Sequence, residues 1–178
     1  HEGKPRKSLI LAGELGEEGM IERSQIAELK IDKNYAKLID SNEAANNDCS
    51  LILNQPGGQK NIESLIRIYK PDILIVDSII SFFEGDENKN AEISDAIKFL
   101  AKLARDFNIA VVGVHHSRKR LSSEQNKPLV LDDTIGGSAI NRLAGLVLAM
   151  EYKPKEQVVL VSCLKSWFKY PKKFTYKI

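Results

Sequence analysis

Three apolar runs in the sequence are each followed by residues that can do chemistry. Glu14 comes just after one run, Asp77 closes another, and His115-His116 follows a third. A carboxylate can take a proton from water or hold a metal ion, and an imidazole can donate a hydrogen bond to a phosphate. Because ligands of open parallel sheets bind beyond the carboxyl ends of the strands, this recurrence predicts one site along one edge of a sheet.

Each of these residues can be interpreted either as part of a functional site or as an ordinary structural residue. Asp77 fits the carboxylate that holds Mg²⁺ through water in nucleoside triphosphatases, although Asp also caps turns. Glu14 fits a general base that polarises the attacking water, or a solvated turn residue after Gly13. His115 and His116 fit a sensor of the terminal phosphate, or side chains with local hydrogen bonds. A zinc site is disfavoured because no third ligand stands at metal spacing.

Basic residues follow the histidine pair in the polar stretch 117–133. Arg118, Lys119 and Arg120 form a cluster, and Lys127 lies further along. They are candidates for contacting nucleic-acid phosphates, with a solvated surface as the alternative. The C-terminal segment 165–174 interleaves lysines with aromatic residues, a pattern that suits stacking on single strands or an ordinary edge strand.

Hydrophobic periodicity supplies the elements that must position these residues. It predicts strands at 8–12, 51–53, 73–77 and 109–114, and helices at 17–29, 62–69 and 91–107. The stretch 40–48 is predicted to be a loop, Gly136 to open a short helix through Leu143, and 146–151, 157–164 and 174–178 to be closing strands.

Alternation of helices with fully apolar strands predicts an α/β fold. We expect a mostly parallel sheet flanked by helices, with an antiparallel C-terminal edge, in one domain over residues 1–178. The 178 residues suit one domain, and the net charge of +2 neither requires nor excludes nucleic acid. Cys49 and Cys163 are not spaced like metal ligands. We therefore expect both to be free thiols in a reducing cytoplasm. No apolar run is long enough for a membrane helix, and no signal peptide is visible.

Four segments together resemble the RecA-like ATPases, most closely the branch of plasmid RepA-type hexameric helicases and DnaB-like ATPases. Residues 73–82 (ILIVDSIISF) resemble its Walker B strand and turn, and 84–92 (EGDENKNAE) its acidic segment before a helix. Residues 114–119 (VHHSRK) resemble its His-His segment, and 136–140 (GGSAI) its Gly-Ser motif. The resemblance runs from about Ser8 to Lys165.

The resemblance implies a RecA-like fold, ATP and Mg²⁺ as ligands, a ring-shaped homo-oligomer such as a hexamer, and DNA, in single-stranded form, as partner. It implies Glu14 as catalytic base and Asp77 as the Mg²⁺-linked acid. His115, His116 and Lys119 would lie on the phosphate side. Gly137 and Ser138 would shape the loop over the site.

Lys165 resembles the lysine of a Lys-x-Arg element that acts on a neighbouring subunit's nucleotide. Trp167 occupies the Arg position, which leaves Arg118 and Arg142 as substitutes between which the sequence does not decide.

The family's phosphate-binding loop, G-x-x-x-x-G-K-[ST], does not occur in the chain, and its strand is missing with it. We expect an N-terminally truncated piece, with a degenerate relative as the alternative, and weak ATP binding by the isolated chain. A non-hydrolysing RecA-like module for regulation or assembly remains a second hypothesis. An unrelated α/β enzyme using His115 and His116 as acid and base is a third.

Overall fold

The computed structural model describes residues 5–26, 32–85, 90–117, 129–131, 140, 142–169 and 174–177. The chain forms two compact units, His1–His116 and Ser117–Ile178. The predicted basic residues Arg118, Lys119, Arg120 and Lys127, and the predicted loop residues Gly137 and Ser138, lie outside the described residues.

The N-terminal unit is built on a parallel sheet. Its described strands are β1 (Ser8–Ala12), β2 (Ala36–Asp40), β3 (Ile73–Asp77) and β4 (Ala110–Gly113), in the order β2-β1-β3-β4. The helices between them are α1 (Glu17–Ile26), α2 (Ser41–Asn46), α3 (Pro56–Tyr69) and α4 (Asn90–Phe107), with a short 3-10 turn at Ile80–Phe82.

Apart from Ser8 and Asp77 at their ends, the central strands β1 and β3 are apolar because helices cover parallel sheets on both faces. Four side chains of these strands are wholly inaccessible to solvent, namely Leu9, Leu11, Leu74 and Val76. The helices α3 and α4 add their apolar stripes to the same core, with Ile62 and Leu103 also wholly buried. This packing fixes the strands whose carboxyl ends carry the predicted site.

Helix α3 ends at Tyr69 as predicted, but it begins at Pro56, six residues before the predicted start. Pro56 occupies its first turn, where a missing N–H costs nothing, and Lys70 closes it in the left-handed region at φ 52°. The Lys70 N–H donates to the Ile66 carbonyl, and Pro71 then starts the approach to β3.

The predicted strand at 51–53 and the predicted loop at 40–48 are both wrong. Leu51 and Leu53 are buried without joining the sheet, and the Leu53 N–H donates to the Phe82 carbonyl at 2.7 Å. The neighbour of β1 is instead β2, which leads directly into α2, with Asp40 as its N-cap. The Asp40 carboxylate accepts from the Asn42 N–H at 2.7 Å, which starts a helix in a polar sequence.

The C-terminal unit is built on an antiparallel sheet. Its described strands are β5 (Leu146–Lys153), β6 (Val158–Ser166) and β7 (Phe174–Lys177), in the order β5-β6-β7. These are the three predicted closing strands, and with the parallel sheet they confirm the predicted α/β class.

Both cysteines are free, as predicted, and the structure shows that both are partly exposed. Among the described residues, no helix combines the length and apolarity needed to cross a membrane.

Candidate active site

The carboxyl ends of β1, β3 and β4 meet at one edge of the parallel sheet. Ala12 pairs with Asp77 in the parallel register, and the Gly13 N–H donates to the Asp77 carbonyl at 2.7 Å. Beyond β4, the Val114 N–H donates to the Val76 carbonyl, and the Ile79 N–H donates to the Val114 carbonyl, each at 2.9 Å. These backbone bonds bring the segments after all three strands together.

Glu14 lies at the centre of this edge and is bound by two side chains. The Ser78 hydroxyl donates to Glu14 Oε1 at 2.7 Å, and His116 Nε2 lies 2.8 Å from the same oxygen. Because an ionised carboxylate only accepts hydrogen bonds, His116 Nε2 must carry the hydrogen in this contact. Two of the three predicted strand-end groups are therefore in direct contact.

The contacts favour the charged form of Glu14. The Ser78 hydroxyl first, and the His116 ring second, hold the pKa of the Glu14 carboxyl below its ordinary value of 4.5, against a smaller opposing effect of burial. The positive charge of Arg23 acts in the same direction. Near neutral pH, Glu14 is a carboxylate that can accept a proton.

Gly13 allows β1 to pass close to the turn that follows β3. A Cβ added at Gly13 would overlap the Cβ of Ser81 and would lie 3.1 Å from the Phe82 ring. A side chain here would push the Ser78–Ser81 turn away from Glu14. Glycine at this position therefore allows the close approach of the two segments and keeps the turn next to Glu14.

Asp77 occupies the end of β3 beside this cluster. Among the described residues, no side chain hydrogen-bonds its carboxylate, and its backbone carbonyl holds Gly13. A carboxylate that is not bound by neighbouring side chains suits Mg²⁺, which takes one or two protein carboxylates together with water and phosphates. In the part of the chain that the structure describes, no three His, Cys, Asp or Glu residues form a metal cluster, so a cage made wholly of protein ligands is not present there.

Two other predicted residues are placed by the structure. His115 is half-buried and precedes His116, but the contact to Glu14 comes from His116. Lys165 lies on β6 of the C-terminal unit, where its ammonium stands 5.0 Å from the centre of the Trp167 ring. The Trp167 and Phe168 side chains are exposed, as a surface for stacking requires.

Ser78 is the residue of this edge that sequence reasoning missed. It is fully buried, bonds Glu14, and lies 3.1 Å from the Ser81 hydroxyl. The available signal was a hydroxyl residue inside the apolar run Val76-Asp77-Ser78-Ile79-Ile80, where a buried polar group needs a partner.

Two comparisons with known proteins bear on this geometry. Residues 1–121, which include the whole Glu14 cluster, match a family model described as an AAA domain. A search of curated proteins finds no match.

Solved structures give a match for the fold. A solved ATPase domain superposes with a TM-score of 0.70 at 15% sequence identity, over 96% of this chain and 70% of that chain. At this identity the match speaks for the fold, and it confirms the architecture predicted from the strand and helix pattern.

Proposed function

The chain belongs to the AAA domain family, and from that premise we propose that it carries the hydrolysing and sensing side of an ATPase of the replicative-helicase type. This membership and the fold shared with the solved ATPase domain support the predicted resemblance to a RecA-like core of the DnaB-like branch. The observation that carries the proposal is the Glu14 carboxylate, held at the carboxyl edge of the sheet beside Asp77.

Glu14 is the proposed general base. Its carboxylate takes a proton from water while the water oxygen forms a bond to the terminal phosphorus of ATP. The bond from that phosphorus to the bridging oxygen breaks, and its electron pair leaves with the diphosphate. The contacts from Ser78 and His116 orient the carboxylate and keep it charged.

Asp77 is the proposed holder of Mg²⁺, through a water molecule. A Mg²⁺ ion held there would supply positive charge that offsets the negative charge developing on the phosphates. No described side chain hydrogen-bonds the Asp77 carboxylate. Asp77 pairs in register with Ala12, two residues before Glu14. Both observations support separate roles for the two acids, with Asp77 binding Mg²⁺ and Glu14 taking the proton.

His116 is the proposed sensor. Its ring contacts the base directly, and His116 immediately precedes the polar stretch 117–133. Loss of the terminal phosphate can therefore be transmitted through His116 to that stretch. We propose that Lys119, His115, Gly137 and Ser138 complete the phosphate side.

The nucleic-acid side is proposed from the sequence. Arg118, Arg120 and Lys127 would contact single-stranded DNA, and hydrolysis would move the stretch that carries them. ATP would lie between subunits of a ring, with Lys165 reaching a neighbour's nucleotide. The chain would act in the cytoplasm as one domain.

The test uses the full-length protein encoded by the natural gene. Glu14→Gln and Asp77→Ala should each lower kcat for Mg·ATP by about 100-fold or more. Glu18→Gln, an exposed glutamate of α1, is the matched control and should keep wild-type turnover.

Three results would separate the hypotheses. Wild-type turnover in Glu14→Gln would remove the base assignment. A wild type without ATPase activity, from a gene without a G-K-[ST] loop, would favour the non-hydrolysing module. Stimulation of ATPase activity by single-stranded DNA, and a ring-sized assembly in sedimentation, would support the helicase type.

A further inference from the structure

Ser78 is the most enclosed polar group at the carboxyl edge of the sheet. Its side chain has no solvent-accessible surface, and it directly follows Asp77 at the end of β3. A hydroxyl that is cut off from water is retained only where protein partners satisfy it. The partners of Ser78 are Glu14 Oε1 at 2.7 Å and the Ser81 hydroxyl at 3.1 Å.

The direction of these two bonds follows from the hydrogens available. A serine hydroxyl has one hydrogen to donate, and a carboxylate has none. Ser78 therefore donates to Glu14, and Ser81 donates to Ser78. The result is a short relay, Ser81 to Ser78 to Glu14, built into the turn that follows β3.

Ser78 and His116 bond the same oxygen of Glu14. Both distances end on Oε1, and none of the residues that the structure describes hydrogen-bonds Oε2. Hydrogen bonds to Oε1 hold this oxygen in place and leave Oε2 able to accept a proton. We propose that Ser78 is a positioning residue, whose buried hydroxyl clamps Oε1 of Glu14 and leaves Oε2 as the basic oxygen of the site.

The clamp is assigned to Ser78 because its position is fixed, whereas that of His116 is not. The turn of Ser78 is held by the Ile79 N–H to the Val114 carbonyl and by the Ser81 N–H to the Ser78 carbonyl. The His116 side chain is 60% exposed and can leave Glu14 without unfolding its surroundings. The Ser78 hydrogen bond is also the larger cause of the lowered Glu14 pKa.

The inference rests on the proposed function, because the orientation of Glu14 affects the rate only if Glu14 takes the proton from the reacting water. Misplacement of a catalytic group by about 1 Å can cost about 100-fold in rate. Ser78→Ala should therefore lower kcat for Mg·ATP by about 100-fold and leave KM within about 2-fold. Ser78→Thr keeps the hydroxyl and should restore most of the rate.

The matched control is Ser94→Ala, which removes the hydroxyl of another buried serine, in α4, that does not bond Glu14. It should keep the wild-type kcat. An Ala variant at Ser78 that folds and turns over like wild type would overturn the clamp. So would an equal loss of kcat in Ser94→Ala.

A second readout does not depend on ATP hydrolysis. NMR of the 178-residue chain, with ¹³C-labelled glutamate, follows the Glu14 carboxyl through a pH titration. The midpoint should rise in Ser78→Ala and return toward wild type in Ser78→Thr. If wild type hydrolyses no ATP, the proposed function fails and this titration alone decides: an unchanged midpoint in folded Ser78→Ala overturns the clamp, and a raised one supports it.

Ser81→Ala decides the case in which Ser78→Ala does not fold. It removes the donor behind Ser78 and should give a smaller loss of kcat, again with KM unchanged, and a smaller rise of the Glu14 midpoint. Wild-type values for both quantities would contradict the relay.

Discussion

The two compact units differ in where their large apolar side chains lie. In the central strands of the N-terminal unit, alternate residues are wholly buried, and polar groups are displayed where the strands end. In β5 of the C-terminal unit, alternate large residues are between 45% and 70% exposed, namely Leu146, Leu148, Met150 and Tyr152. The central strands β1 and β3 thus have covered side chains and polar residues beyond one edge, whereas the described residues of β5 expose large apolar side chains.

Among the described residues, the side-chain contacts that define a site lie at the edge of the N-terminal sheet. Glu14 is placed by strands whose register is locked by buried neighbours and backbone bonds, so its partners are determined by the fold. Lys165, the predicted site residue of the C-terminal unit, contacts the face of an exposed tryptophan at 5.0 Å.

The largest expected effect comes from truncating one leucine in each unit. Leu74→Ala, at a wholly buried position of β3, should lower the free energy of unfolding by about 2–5 kcal/mol, because it removes packing and leaves a cavity. Leu148→Ala, at a 45% exposed position of β5, should cost about 1 kcal/mol or less.

Two probes separate the units in that experiment. Far-UV circular dichroism reports chiefly on α3 and α4 of the N-terminal unit, and Trp167, the single tryptophan, reports on the C-terminal unit by fluorescence. Equal losses for the two variants in urea titrations would contradict the contrast and mean that the exposed face of β5 is covered in solution.

Adding one methyl group gives the next largest effect. Gly13→Ala should cost about 1–3 kcal/mol, because the new Cβ meets Ser81 beside buried backbone. Gly145→Ala should cost less than about 1 kcal/mol, because its nearest neighbour, 3.3 Å away, is the side chain of the exposed Trp167, which can shift. Thermal unfolding of both variants measures the difference, and a larger shift for Gly145→Ala would reverse the comparison.

Gly13→Ala also tests the link between packing and chemistry. The displaced Ser81 should weaken the relay to Glu14, so the Glu14 titration midpoint should rise in this variant. Gly145→Ala should leave it unchanged. A Gly13→Ala protein that is destabilised but retains the wild-type midpoint would show that the turn and the relay are independent.

The contrast also decides how much the sequence could predict. Strands β1 and β3 and helices α3 and α4 follow from apolar runs and helical periodicity because their burial is a property of the whole element. Strand β4 follows from its apolar run alone, since three of its four residues are exposed. Strand β2 was missed because Ala36–Asp40 is a mixed sequence that gains its place by pairing with β1. Leu51 and Leu53 look like a strand because burial alone produces an apolar run, although the Leu53 N–H bonds the Phe82 carbonyl rather than a strand.

The site was predictable only in part, for a related physical reason. Glu14, Asp77 and His116 could be found because each follows an apolar run and parallel strands end at one edge. Ser78 could not be assigned, since its role depends on which oxygen its hydroxyl reaches. Hydrogen-bond direction is set by tertiary geometry that no spacing encodes.

The smallest expected effect is on the pH dependence of stability, which asks whether the charge of Glu14 contributes to folding. Its pKa is lowered in the folded protein, chiefly by the Ser78 hydroxyl, so the charged form stabilises the fold. That contribution is full above the ordinary value of 4.5 and is lost as the pH falls through the lower folded pKa.

The stability advantage of wild type over Ser78→Ala should therefore shrink on acidification from neutral pH, whereas the difference between wild type and Ser94→Ala should stay constant. Urea titrations across this range measure both differences. A gap for Ser78→Ala that does not change with pH would mean that Ser78 stabilises only by packing, and the edge of the N-terminal unit would then resemble its core rather than a site.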